Sequence, residues 1–266
     1  MILEKILAAK RAELAERMEK KPLGELVEEA KKAKPRGFRK AISRGPGVKI
    51  ICEFKRASPS GVASGKPLEK TVKAYEKGGA AAVSVVTEKK FFNGSVDDLW
   101  KAARAVSVPV LRKDFLTTEY ELYEAKAAGA SAVLLVAAAC QGLEDLVPAC
   151  RKIGLDALVE AANEKEIAAA LDAGAEIIGI NNRSFTDLSV DLDRARDLCS
   201  LIPRGVSFVA ESGFKNAADV KMLGKWARVP DAVLVGTVLM MAEDTEAAVR
   251  DFVQAGRGTS RRAEKE

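Results

Sequence analysis

Eight short apolar runs rich in β-branched residues recur along this chain at a spacing of roughly 20 to 35 residues, and they limit its fold more than any other feature. They are VKIICEFK (48–55), AAVSVVTE (81–88), VPVLRKDF (108–115), SAVLLVAA (131–138), LDALVEAA (155–162), EIIGINNR (176–183), VSFVAESG (206–213) and PDAVLVGT (230–237). Between them lie segments with Ala, Leu, Glu and Lys at three- and four-residue spacing. LEKTVKAYEKGG, TTEYELYEAKAAG and NEKEIAAALDAG each end at glycine, the residue that most often closes a helix. Strands alternating with helices predict a parallel sheet, and about eight such units predict a (β/α)₈ barrel. The rival is an open doubly wound sheet, but no G-x-G-x-x-G follows the first run. Residues 1–46 are expected to form an N-terminal helical extension, 47–255 the barrel and 256–266 a flexible tail, all in one domain. Within the extension, Ile2, Leu3, Ile6, Leu7, Leu14 and Met18 suit one amphipathic helix.

Composition removes several kinds of chemistry. The 266 residues include no histidine, so Ser-His-Asp and Cys-His nucleophile systems and His-based metal sites are excluded. Proton transfer must use Lys, Glu, Asp, Tyr or Cys. The net charge is +5, concentrated in KKAKPRGFRK (31–40) and RGTSRRAEKE (257–266). Neither stretch has interleaved aromatics or a nucleic-acid-binding module, so no nucleic-acid partner is expected, whereas a small anionic substrate suits the charge. No run approaches the ~20 apolar residues of a membrane helix, and the charged N-terminus is no secretory signal. Cys52, Cys140, Cys150 and Cys199 are scattered without C-x-x-C, as expected of reduced thiols in a cytoplasmic protein.

The runs end in polar residues. The first ends Glu53-Phe54-Lys55, the third Arg112-Lys113-Asp114, the fifth in Glu160, the sixth Asn181-Asn182-Arg183, the seventh Glu211-Ser212-Gly213 and the eighth Gly236-Thr237. In a barrel these C-terminal ends converge on the face where active sites form. Alternation along a strand puts Glu53 and Lys55 on one side. It also sets Lys113 with Leu111, Glu160 with Leu158 and Glu211 with Val209. Two lysines and three glutamates around one axis point to a ligand, although a purely structural ion network would also gather them. Ser212-Gly213 and Gly236-Thr237 follow the seventh and eighth runs, where this fold usually binds phosphate.

In order along the chain stand E-F-K-R-A-S-P-S (53–60), T-E-K-K-F-F-N-G-S (87–95), P-V-L-R-K-D-F (109–115), L-V-E-A (158–161), G-I-N-N-R (179–183), A-E-S-G (210–213) and V-G-T-x-L-M (235–240). Together they resemble the indole-3-glycerol phosphate synthases of tryptophan biosynthesis over nearly the whole chain. The resemblance implies ring closure of 1-(2-carboxyphenylamino)-1-deoxyribulose 5-phosphate with loss of carbon dioxide and water, and no metal or organic cofactor. It implies Lys113 as general acid, Glu160 as its acid–base partner, Lys55 near the substrate carboxylate, and Glu53 orienting the lysines. Asn181 and Glu211 complete the catalytic set. Ser58, Arg183, Ser212, Gly213, Gly236 and Thr237 are implied to bind substrate and its phosphate, and Phe92 and Phe115 to wall the aromatic ring. A monomer is compatible with the resemblance, as is association with other enzymes of the tryptophan pathway. Two departures are Thr237, where the family more often has serine, and Ala161-Ala162 after Glu160. A phosphoribosyl isomerase barrel is the rival activity, which Lys55 and Lys113 disfavour, and a barrel that binds without turnover is the rival outside enzymes.

Overall fold

The structure, a computed structural model, describes residues 2–43, 45–61, 63–184 and 187–259. Eight parallel strands close into a barrel in sequence order: β1 (Lys49–Phe54), β2 (Ala82–Val86), β3 (Val110–Lys113), β4 (Ala132–Val136), β5 (Asp156–Ala161), β6 (Ile177–Asn181), β7 (Ser207–Glu211) and β8 (Ala232–Val235). Each lies inside one of the eight runs. The doubly wound alternative is excluded because β1 pairs with β8, Ile51 opposite Leu234.

Three helices precede the barrel: α1 (Ile2–Lys20), α2 (Leu23–Lys32) and α3 (Phe38–Ser43). The strands are linked on the outside by α4 (Leu68–Lys77), α5 (Val96–Ala105), α6 (Glu119–Ala127), α7 (Leu143–Ile153), α8 (Glu164–Asp172), α9 (Leu192–Leu198) and α10 (Ala217–Met222). After β8 come the short α11 (Thr237–Met241) and the long α12 (Thr245–Gly258). The glycine signals work as expected. After α4, Gly79 sits at φ 95° while its N–H bonds Glu76 O and that of Ala80 bonds Tyr75 O, a Schellman closure that recurs after α6 and α8. Among the described residues no helix is long and apolar enough to cross a membrane.

Strand alternation divides the core in two. Val83, Val85, Val133, Leu135, Val159, Ile178, Phe208 and Val233 face outward onto the helices. Ile51, Ala82, Leu111, Ala132, Leu134, Leu158, Ile177, Val209, Ala232 and Leu234 fill the barrel interior. Leu111, Leu158 and Val209 all point inward, as strand alternation predicts. The N-terminal helices close both ends. Phe38 and Ile42 of α3 join the interior cluster, while Ile2 and Ile6 of α1 pack on it and line the hollow at the strands' C-terminal ends. Between them α2 packs on α6.

The last helix runs further than expected. Helix α12 continues to Gly258, into the stretch expected as tail, and its Gly256 packs on the start of β1. Val48 N–H bonds Gly256 O at 2.9 Å, and a β-carbon on Gly256 would meet Val48 O. Residues 260–266 of the expected tail lie outside the described residues.

Candidate active site

A cavity of about 100 Å³ lies at the C-terminal ends of the strands, roofed by Ile2 and Ile6. Ten residues singled out from the sequence line it: Glu53, Lys55, Ser58, Phe92, Lys113, Phe115, Glu160, Asn181, Arg183 and Ser212. Glu211 lies just below it, against Lys113, while Gly213, Gly236 and Thr237 stand outside its lining. A larger open groove of about 830 Å³ runs between α2, α5 and α6 and is ringed by lysine and arginine. No strand end lines that groove, so it is not where the converging polar residues act.

Each charged group in the cavity is held by its neighbours. Lys113 Nζ donates to Glu160 Oε2 at 3.1 Å, and Asn181 Nδ2 donates to Glu160 Oε1 at 3.0 Å. Asn181 Oδ1 in turn accepts from Arg183 N–H at 2.9 Å. Thus Asn181, the last residue of β6, fixes both the carboxylate and the start of the loop that carries Arg183. That arginine donates through Nη1 to Leu188 O at 2.8 Å. Lys55 Nζ donates to Glu53 Oε1 at 2.8 Å, a pair across two residues of one extended chain. Burial works against a charge on Lys113, but Glu160, Glu211 and Glu53 outweigh it and hold the ammonium well above the usual lysine range. Burial also opposes ionisation of Glu53, yet Lys55 and Lys113 prevail and lower it.

Glu211 is different. It is fully buried, its Oε2 lies 3.3 Å from Lys113 Nζ, and neither carboxylate oxygen receives an aligned hydrogen bond. Burial, with Glu160 nearby, pushes its carboxyl up to about 8 despite Lys113. Lys113 thus stands among Glu53, Glu160 and Glu211, of which Glu53 is lowered by its lysine neighbours and Glu211 is inclined to keep its proton. Such a set can give, hold and take back a proton at a reacting atom above it. The turn expected to receive phosphate is shaped by its backbone. Ser212 and Gly213 both adopt positive φ, 67° and 93°, and Asn182 Nδ2 donates to Ser212 O at 3.1 Å to hold that turn.

Three groups were given no role from the sequence. Asp114 lines the cavity and accepts from Lys10 of α1, and burial notwithstanding, Lys10 and Arg112 hold its carboxyl well below the usual range. Arg112, completely buried, points outward from β3 to Thr87, Glu124 and Asp114. Glu88 gathers the N–H groups of Lys90, Phe91 and Phe92 onto its carboxylate, which shapes the loop that presents Phe92. Alternation along β3 gave the signal that Arg112 faces away from Lys113. No spacing rule reports what lies opposite.

The comparisons with known proteins agree with this geometry. A family model for indole-3-glycerol phosphate synthase matches residues 3–252. Indole-3-glycerol phosphate synthase 1 of Streptomyces coelicolor is 44% identical over 259 residues, covering 96% of each chain. The indole-3-glycerol phosphate synthase of Methanothermobacter marburgensis is 39% identical over 256 residues, covering 96% of this chain and 92% of that one. Among solved structures, the thiamine phosphate pyrophosphorylase of Pyrococcus furiosus superposes with a TM-score of 0.61 over 80% of this chain and 96% of its own, at 18% identity, a likeness of fold alone. On a match that spans nearly its whole length, the chain belongs to the indole-3-glycerol phosphate synthase family.

Proposed function

We propose that the cavity residues carry out this family's ring closure by lysine and carboxylate acid–base chemistry, without help from a nucleophilic side chain. As a family member the chain is a carboxy-lyase of tryptophan biosynthesis that acts on a phosphorylated small molecule. In our reading Lys113 protonates the ketone oxygen of the 1-deoxyribulose arm while the carboxyl-bearing carbon of the aromatic ring attacks the carbonyl carbon. The new carbon–carbon bond closes the five-membered ring. The carboxylate then leaves as carbon dioxide, and its bonding electrons restore the ring. The hydroxyl at the former carbonyl leaves as water after taking up a proton, and loss of a ring proton completes the indole. Atoms balance as indole-3-glycerol phosphate, carbon dioxide and water.

Glu160, in contact with Lys113 and fixed by Asn181, would pass protons to and from it. Lys55, steered by Glu53, would face the substrate carboxylate and serve the dehydration. Glu211 would supply a neutral carboxyl below them. Phe92 and Phe115 would flank the aromatic ring, and Ser58, Arg183, Ser212, Gly213, Gly236 and Thr237 would receive the rest of the substrate and its phosphate. Holding the two reacting ends of one molecule together would itself contribute strongly. The four free cysteines are buried, which supports a cytoplasmic setting.

The observation that carries this reading is the ammonium of Lys113, held charged between Glu160 and Glu211 at the mouth of the barrel. An ammonium that lines the cavity, with a carboxylate in hydrogen-bond reach to return its proton, is placed to act as general acid. Lys113→Ala should lower kcat by ~10²–10⁴-fold, measured as appearance of the fluorescent indole product, with circular dichroism unchanged. Turnover near that of the parent protein would remove Lys113 from the role.

A further inference from the structure

Helix α1 buries a lysine. Lys10 is only 6% exposed, which is rare for lysine unless it is paired. It stands four and eight residues after Ile6 and Ile2, on one stripe of the helix. The first two residues of that stripe roof the cavity. The third, Lys10, reaches down to Asp114, its Nζ 2.7 Å from Oδ1, and lies 3.3 Å from Glu121 Oε1. Further along, Arg17 meets Glu121 and Glu124 of α6.

Asp114 directly follows Lys113 and precedes Phe115. Its Oδ1 accepts from both Lys10 and the N–H of Phe115, the latter at 2.8 Å. Its Oδ2 accepts from Thr87 Oγ1 at 2.7 Å and from Arg112 Nη2 at 3.3 Å. Asp114 therefore has three partners without Lys10, namely Thr87, Arg112 and the N–H of Phe115, and Glu121 has Arg17 and the N–H of Thr117. A leucine or methionine at position 10 would extend the apolar stripe. What the lysine adds is a bond between the roof helix and the residue between the proposed acid and the proposed aromatic wall.

We propose that Lys10 is a positioning residue for the reaction: its ammonium fixes the Asp114 carboxylate, and through it the Lys113–Phe115 turn, beneath the roof made by Ile2 and Ile6. The inference rests on Lys113 and Phe115 belonging to the reacting site. Without Lys10, Asp114 keeps its bonds to the barrel, but α1 can shift over it and the carboxylate can rotate away from the Phe115 N–H. Displacements of about 1 Å at reacting groups can cost about 10²-fold in rate.

The test uses full-length Lys10→Met, which keeps length and apolar contact but removes the charge, beside Lys10→Arg, which keeps the charge, and Lys113→Ala. All are assayed at saturating substrate and at a temperature where urea titration shows the variant fully folded. A purely structural role would lower the urea midpoint and leave kcat of the folded fraction unchanged. The expected result is kcat reduced by about 10²-fold in Lys10→Met, mostly recovered in Lys10→Arg, with Lys113→Ala reduced by ~10²–10⁴-fold. Folded Lys10→Met with the parent kcat overturns the inference, as does Lys10→Arg as slow as Lys10→Met. If Lys113→Ala stays active, the reading of the site falls first and this inference with it. Should Lys10→Met not fold, Lys10→Gln carries the same expectation. If neither folds, Lys10 serves folding alone and the proposal is overturned.

Discussion

Gly179 and Gly236 occupy inward positions of the barrel where carboxylates fill the space a side chain would need. A β-carbon on Gly179 would collide with Glu211 Oε1, and one on Gly236 would collide with Glu53 Oε1. The sequence suggested Gly236 as a place for phosphate to approach. The structure adds that it makes room for Glu53, and hence for the bond from Lys55. Gly236→Ala should therefore lower kcat by about 10²-fold as Glu53 and Lys55 are displaced. Loss of phosphate binding alone would change only KM. Steady-state kinetics separate the two, and a variant with normal kcat would leave Gly236 to the phosphate alone. At this scale the sequence was informative where alternation applies. Glu53, Lys113, Glu160 and Glu211 all point inward with their neighbours two residues before. It was silent where the partner is distant in the chain. Lys10 and Asp114 are 104 residues apart, and nothing local distinguishes Lys10 from a solvated lysine.

Strands and connecting helices were legible because each carries its own period and its own stop. Helix α1 was legible as a helix but not in its orientation. Its apolar positions suggested a stripe ending at Met18, yet Met18 is 47% exposed while Lys10 is buried. From Lys10 onward, ion pairs of Lys10 and Arg17 with Asp114, Glu121 and Glu124 tie the helix to the barrel, and no residue of α1 after Lys10 is buried. The loop between β2 and α5 is ordered by charge as well. Glu88 accepts three backbone N–H groups, its carbonyl accepts from Gly94 N–H, and Ala57 N–H bonds Phe92 O to join this loop to the one after β1. Removing the carboxylate would leave up to three partly buried donors unpaired, each at about 1–3 kcal/mol when no water replaces it. Glu88→Ala should loosen the loop, seen as faster hydrogen exchange at residues 90–92. KM should rise more than kcat falls, because Phe92 is read as a wall for the ring. Unchanged exchange in this variant would show that the glycine turn and the Ala57 bond suffice to hold the loop.

Across the whole molecule, the cavity end of the barrel stores opposed electrostatic contributions, and pH separates them. Asp114 and Glu53 are lowered in the folded protein, chiefly by Lys10 and Lys55 against burial. Their stabilisation is complete above the usual carboxylate range and is lost as pH falls through their folded values. Glu211 runs the other way. Burial raises it to about 8 from an ordinary 4.5, so between those values the folded state holds a proton that the unfolded chain has released. Its contribution is fully present below 4.5, declines as pH rises, and levels off above 8. The slope is about 1 kcal/mol per pH unit, of either sign according to which state binds the proton. Lys113, held above its usual range, does not titrate in this window. Glu211→Gln keeps the shape and removes the titration. Its stability relative to the parent, from urea unfolding at a series of pH values, should climb between pH 5 and 8 and then become constant. The lost contact with Lys113 adds an offset that does not vary over that window. A difference that stays flat from pH 5 to 9 would mean that Glu211 is ionised throughout, and the neutral carboxyl assigned to it in the reaction would have to be given up.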